Sequence, residues 1–265
     1  PEPAHAPAPR VRYPAAMALI VLNNARLRLA VDPALGAGIA DFSLAGPAKG
    51  WYPLMRRAAP GERSASSLAC FTMAPWCNRL RDAALTFRGA RHALRPTSAP
   101  GVSPVVAQHG DVRSRPWTIL DRSPLSASLE FRSRDFAQNA PGGPINFPWA
   151  FSMVVRYELR EHDLHIDLIL RNDDHAPFPA GLGLHPYFSR RLLRDDDELL
   201  VHAPCATRYP IKDGLPTGPA SDAPDPLRDA LARGGPLPRE PVDAVLGGFG
   251  GQADITWTRS RIRLR

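Results

Sequence analysis

With 265 residues and 44% hydrophobic content, the chain is long enough to bury a substantial core in one large all-β domain or two smaller ones, and no apolar run approaches a membrane span. The formal charge of +7 rests almost wholly on arginine, since Lys49 and Lys212 are the only lysines. The arginines fall singly on polar strand positions such as Arg26, Arg28, Arg156, Arg261 and Arg263, which describes a solvated surface and argues against a nucleic-acid face.

Residues 1–16 carry five prolines and little apolar periodicity. They are expected to be a disordered or appended leader. The patterned sequence begins after Met17, so residues 17–265 are expected to form a single domain. Leu27, Leu29 and Val31 alternate with Arg26, Arg28 and Ala30, which is strand periodicity. Asp32-Pro33 and the small residues 36–38 make a turn, and 39–44 read as a second strand. Short strands follow at 85–88, 117–120 and 129–132. The clearest pair is 151–159 with 164–170, joined by Glu161, His162 and Asp163. Each strand places its apolar residues on one face, which predicts an antiparallel hairpin with one buried side. In that hairpin His162 sits at a turn and His165 on a strand, so the two are not expected to share a metal ion. Asp225, Pro226 and Gly234 mark the cap, first turn and end of one helix. Strand alternation returns at 255–258 and 262–264. The sum is a mostly antiparallel all-β sandwich.

The cysteines Cys70, Cys77 and Cys205 are scattered and form no C-x-x-C pair, so no disulfide framework is expected and the setting is read as reducing and cytoplasmic.

Four polar stretches interrupt the strand pattern. The first runs Ala74-Pro75-Trp76-Cys77-Asn78-Arg79-Leu80 and puts donors and an acceptor beside an aromatic ring, as neutral polyols require. The second runs Ala107-Gln108-His109-Gly110-Asp111-Val112-Arg113, with Pro116 and Trp117 after it. The third, Ala180 to Phe188, centres on His185. Gly181 and Gly183 permit close approach before it, Pro186 stops a ladder, and Tyr187 and Phe188 offer an aromatic wall. The fourth is Pro241 to Leu246, where Asp243 precedes an apolar run; taken singly it reads as a cap.

The order Asn-Arg, His-Gly with a following Arg and Pro-Trp, His-Pro-Tyr-Phe, and Val-Asp-Ala-Val resembles the aldose 1-epimerases, the galactose mutarotases, from about Asn24 to the end of the chain. The resemblance implies a large antiparallel β supersandwich. It implies His185 as the acid that protonates the sugar ring oxygen, His109 near the anomeric end, and Asn78, Arg79 and Asp243 as ligands of sugar hydroxyls. It also implies a base glutamate in a C-terminal strand region, and no residue up to Arg265 matches that motif. C-terminal strands are therefore expected to be lacking, and the 265-residue chain is expected to bind aldoses while turning them over poorly. The chemistry needs only an acid and a base, so no metal or other cofactor is expected. The partner is a small aldose, with neither nucleic acid nor membrane. Two rival readings remain. One is a hexose-6-phosphate epimerase, with Arg113 and Arg115 near the phosphate. The other is a sugar-binding module of the same fold without turnover.

Overall fold

The alternation at 151–170 becomes the spine of a four-stranded antiparallel sheet. Phe151–Leu159 and Leu164–Asn172 pair without a register break, from Phe151 opposite Asn172 to Leu159 opposite Leu164. Ser126–Arg132 pairs on the other side of Phe151–Leu159, and Thr118–Arg122 lies beyond it. Successive strand side chains point to opposite faces. Phe151, Met153, Val155, Tyr157 and Leu159 therefore share one buried face with Ala127, Leu129 and Phe131.

That face meets a six-stranded sheet. Its order is Ile20–Asn23, Leu27–Asp32, Gly38–Ala45, Cys70–Met73 and Gly183–Pro186, with Trp51–Pro53 paired to Gly38–Ala45. Leu22, Leu29, Val31, Ile39 and Phe42 of this sheet and the buried face above form one contiguous core. The Tyr157 hydroxyl crosses it and donates to the Ala37 carbonyl at 2.7 Å, so its one polar atom is satisfied. Full burial of such side chains is worth about 1.5–3 kcal/mol each, which makes this two-layer interior the main source of stability. The fold is thus the antiparallel β-sandwich that the periodicity predicts.

A third sheet, Gly235–Pro236, Leu199–His202, Asp254–Trp257 and Ile262–Leu264, adds Trp257 to the core. The helix Pro226–Arg233 forms as its signals predict: the Arg228 N–H donates to Asp225 Oδ1 at 2.9 Å, and Gly234 ends it at φ 75°. The computed structural model describes residues 18–47, 49–61, 64–136 and 142–265, so the leader expected over 1–16 lies outside them. Among the described residues no helix is long and apolar enough to cross a membrane.

Two strand pairs that the periodicity does not announce position the site. Cys70–Met73 is buried at all four residues, so it lacks alternation, and it pairs with Gly183–Pro186. Arg79–Arg81 pairs with Val106–Gln108, Arg79 opposite Gln108.

Candidate active site

His185 lies directly opposite Phe71 in the strand pair, so the two side chains fall on the same face and stack with ring centroids 4.6 Å apart. Two residues on, Tyr187 returns to that face and stacks on His185 at 4.7 Å. This is the face turned away from the main core: Phe71, Met73, Ala65 and Tyr187 make a separate small cluster. Phe188, one residue further, points the other way and packs against the main core. Only Tyr187 of the expected aromatic pair therefore belongs to the wall, and Phe71 takes the place of Phe188.

The second pair brings two sequence motifs together. With Arg79 opposite Gln108, the next residues outward are Asn78 and His109, and the His109 N–H donates to the Asn78 carbonyl at 2.8 Å. Both take left-handed backbone conformations, φ 57° at Asn78 and 61° at His109. Gly110 at φ 69° follows, and a Cβ there would stand 1.7 Å from the Ala74 carbonyl oxygen. Only glycine permits that approach, and it lets the Asp111 N–H donate to Ala74 at 3.1 Å. His109 is thereby pressed toward His185, ring centroids 5.2 Å apart and nearly perpendicular at 83°.

Asn78, Arg79, His109, His185 and Asp243 all line one cleft of about 470 Å³, together with Phe71, Gln108, Arg113, Tyr187 and Ser66. Arg79 is held from both sides, its Nη1 donating to Asn78 Oδ1 at 3.3 Å and to the Gly214 carbonyl at 3.4 Å. Asp243 is exposed in the segment before the strand Val245–Phe249. It is the one carboxylate lining the cleft among the described residues. Trp76 departs from expectation. Its ring is buried away from the cleft, with Nε1 donating to the Ala107 carbonyl at 3.2 Å, and it packs with Ala83, Leu94 and Ala107. Arg115 departs too: it is 5% exposed and bonds Asp111 at 2.7 Å, so it is not available to a ligand in the cleft.

Burial makes both imidazoles poor cations. Desolvation, then the charges of Arg113, His185 and Arg79, bring the His109 pKa down to about 4. His185 is lowered as well, chiefly by burial, with Arg113 and Arg56 adding to it and a hydrogen bond to its own backbone opposing. Both are neutral at pH 7 in the free protein, each with one N–H and one lone pair. His109 Nε2 lies 3.0 Å from the Gln108 side-chain amide, and its Nδ1 is buried without a hydrogen-bond partner among the described residues. Phe71, Gln108 and Ser66 are the lining residues that sequence reasoning missed. Gln108 stood beside His109 in the second motif, whereas nothing local marks Phe71 or Ser66. No grouping of three or more His, Cys, Asp or Glu side chains suited to a metal ion occurs among the described residues.

A cleft lined by two nearly perpendicular imidazoles, two guanidinium groups and a carboxylate can hold the polar groups of a small molecule and exchange protons with it. The family model for aldose 1-epimerase matches residues 18–259, and the chain belongs to that family. The uncharacterized protein YihR of Escherichia coli (strain K12) is 26% identical over 178 residues, which is 67% of this chain and 52% of that protein. The chain thus spans about half the length of the curated relative it matches. Among solved structures, an Escherichia coli K12 protein provisionally assigned as an aldose 1-epimerase superposes with a TM-score of 0.75 at 21% identity, covering 92% of this chain and 75% of that one. The GalM/aldose epimerase homologue from C. elegans gives 0.70 at 18% identity, covering 93% and 77%. At these identities the structural likeness speaks for the fold.

Proposed function

We propose that the cleft interconverts the α and β anomers of an aldose by acid–base opening and closing of the ring. The observation that carries this reading is the pair of imidazoles 5.2 Å apart in a cleft also lined by Asn78, Arg79 and Asp243. In ring opening, the O1 hydroxyl gives up its proton, the bond from C1 to the ring oxygen breaks, and the ring oxygen takes up a proton. The aldehyde then turns about C1–C2 and the steps reverse on the other face. Both oxygens are bonded to the same carbon, so donor and acceptor must work within one small volume. His185 is assigned to the ring oxygen and His109 to the anomeric end. Arg79, Asn78 and Asp243 hold hydroxyls, and the stacked faces of Phe71 and Tyr187 cover C–H surface. Asp243, the one carboxylate lining the cleft among the described residues, is also offered to the O1 proton.

The test is polarimetry on freshly dissolved α-glucose and α-galactose. Acceleration over the buffer rate, lost in His185→Ala, is expected. A second reading, a sugar binder without turnover, is favoured by the exposure of that single carboxylate. Sugar binding in calorimetry without acceleration of any aldose selects it and rejects the first.

A further inference from the structure

Each aromatic ring that stacks on His185 also carries a guanidinium. Phe71 stacks on the imidazole at 4.6 Å and has Arg113 over its ring at 5.2 Å. Tyr187 stacks on it at 4.7 Å and has Arg56 over its ring at 3.5 Å. Arg113 lines the cleft. Arg56 is spent on the frame behind it. Its backbone N–H donates to the Tyr187 carbonyl at 2.8 Å, its Nε to the Leu68 carbonyl at 2.9 Å and its Nη2 to the Ser66 carbonyl. One half-buried side chain thereby ties the segment after Trp51–Pro53 and the 3₁₀ turn Ala65–Ser67 to the end of the His185 strand.

We infer that Arg56 is a positioning residue for His185, fixing the imidazole through the Tyr187 ring and, as a cation held on that ring, setting the pH at which His185 takes up a proton. The effect on turnover rests on the anomer-exchange reading of the cleft; the effect on His185 does not. Two properties of the side chain act separately. Its planar fork spans two carbonyls while its face lies on Tyr187, which an ammonium cannot reproduce. Its charge opposes a second positive charge on the imidazole. The aromatic faces that would otherwise stabilise an imidazolium are already shared with guanidinium groups.

The other charged or titratable groups around His185 are few. They are Tyr187 on its own strand, Arg113 in the 3₁₀ turn Val112–Ser114, His109 just after Val106–Gln108, and Arg79 and Asp243 lining the same cleft. Cys70–Met73 presents the uncharged Phe71 and Met73 on this face. Burial is the largest cause lowering the His185 pKa, and Arg113 and Arg56 add to it. At the ring oxygen of a sugar, the imidazole must also meet one atom in one direction. A displacement of about 1 Å costs on the order of a hundredfold in rate, so a ring clamped through Tyr187 matters to the chemical step.

The experiment titrates the His185 imidazole by NMR in the sugar-free protein, its signal identified by its loss in His185→Gln. Arg56→Gln removes the charge and keeps an amide donor; Arg56→Lys keeps the charge and loses the fork. The titration midpoint should move up by about 0.5–1 in pH in Arg56→Gln, the worth of one nearby charge at a protein surface. It should stay at the wild-type position in Arg56→Lys. A merely structural Arg56 would lower the melting temperature of both variants without this split. An unchanged midpoint in Arg56→Gln, or an equal rise in both variants, overturns the inference. In polarimetry on α-glucose and α-galactose, both variants should lose about tenfold in kcat with KM within about twofold, because a ring is displaced and the sugar's ligands are kept. A raised KM at wild-type kcat also overturns it. If the wild type accelerates no aldose, the anomer-exchange reading fails, and the titration still decides for or against Arg56. Arg56→Met, with the same expected midpoint, serves if Arg56→Gln fails to fold.

Discussion

The two faces of one strand pair make different molecules. Along Cys70–Met73 and residues 183–188, Cys70, Leu184 and Phe188 enter the main core, while Phe71, His185 and Tyr187 line the cleft. Charge is disfavoured on both sides. On the core face burial pushes the Cys70 thiol up to about 12, which keeps it neutral and unreactive. On the cleft face burial is also the largest cause lowering His185, as it is for His109 across the cleft, which falls to about 4. The outcomes differ because the cleft is open to a ligand and the core is closed. Burial sets the protonation state; access decides whether that state has any chemical use.

The sharpest way to break this contrast is His185→Ala on the cleft face. Turnover should fall by about 10²–10⁴-fold, the usual worth of one proton-transfer group. Sugar binding by calorimetry should change little, because the interaction belongs chiefly to the transition state. Unchanged turnover in polarimetry would remove His185 from the mechanism.

Leu129→Ala probes the opposite side. Leu129 is fully buried between the sheets, and its truncation should cost about 2–5 kcal/mol in denaturant unfolding. The KM of the folded fraction should stay at the wild-type value. A loss below about 1 kcal/mol, less than such cavities cost, would mean that the interface between the sheets is not the stabilising core.

Acid should separate the faces as well. The folded-state pKa of His109, about 4, lies below its ordinary 6.5. Between these values the unfolded chain binds the extra proton, so this contribution is present above pH 6.5 and is lost as pH falls toward 4. The loss amounts to at most about 3 kcal/mol. Arg113, Arg79 and His185, which oppose the charging of His109, stay in place in a His109→Asn variant. Thermal unfolding of wild type and His109→Asn from pH 7 to 4.5 should show a shallower decline for the variant; parallel curves would show that His109 charges freely in the fold.

The smallest effect concerns ground-state binding. Arg79→Ala should raise KM by about tenfold to a hundredfold, since a charged donor to hydroxyls is lost in both ground and transition states. A KM at the wild-type value, with only kcat reduced, would move Arg79 from holding the sugar to the chemical step.

Much of the frame was legible in the residues themselves. The alternation of Phe151, Met153, Val155, Tyr157 and Leu159 predicts both the strand and its buried face, because side-chain parity is a local property of extended backbone. Asp225, Pro226 and Gly234 bound the helix for equally local reasons, a capping acceptor, a preset φ and a left-handed end. The order of the four polar motifs pointed to the family. What the sequence left open is which residues meet. Cys70–Met73 is buried on both sides and carries no period to read, so Phe71 could not be foreseen beneath His185. Parity says that Tyr187 and Phe188 part company, but not which of them sees the cleft; packing of the two sheets decides that. Arg113 and Arg115 are two residues apart and chemically the same. Arg113 sits within the turn of 3₁₀ helix Val112–Ser114 and Arg115 just past its end, which leaves Arg113 to line the cleft while Arg115 is closed against Asp111. Backbone preferences act over a few residues and are written in the chain; the company a side chain keeps depends on pairings across more than a hundred residues, and only the folded sheets settle it.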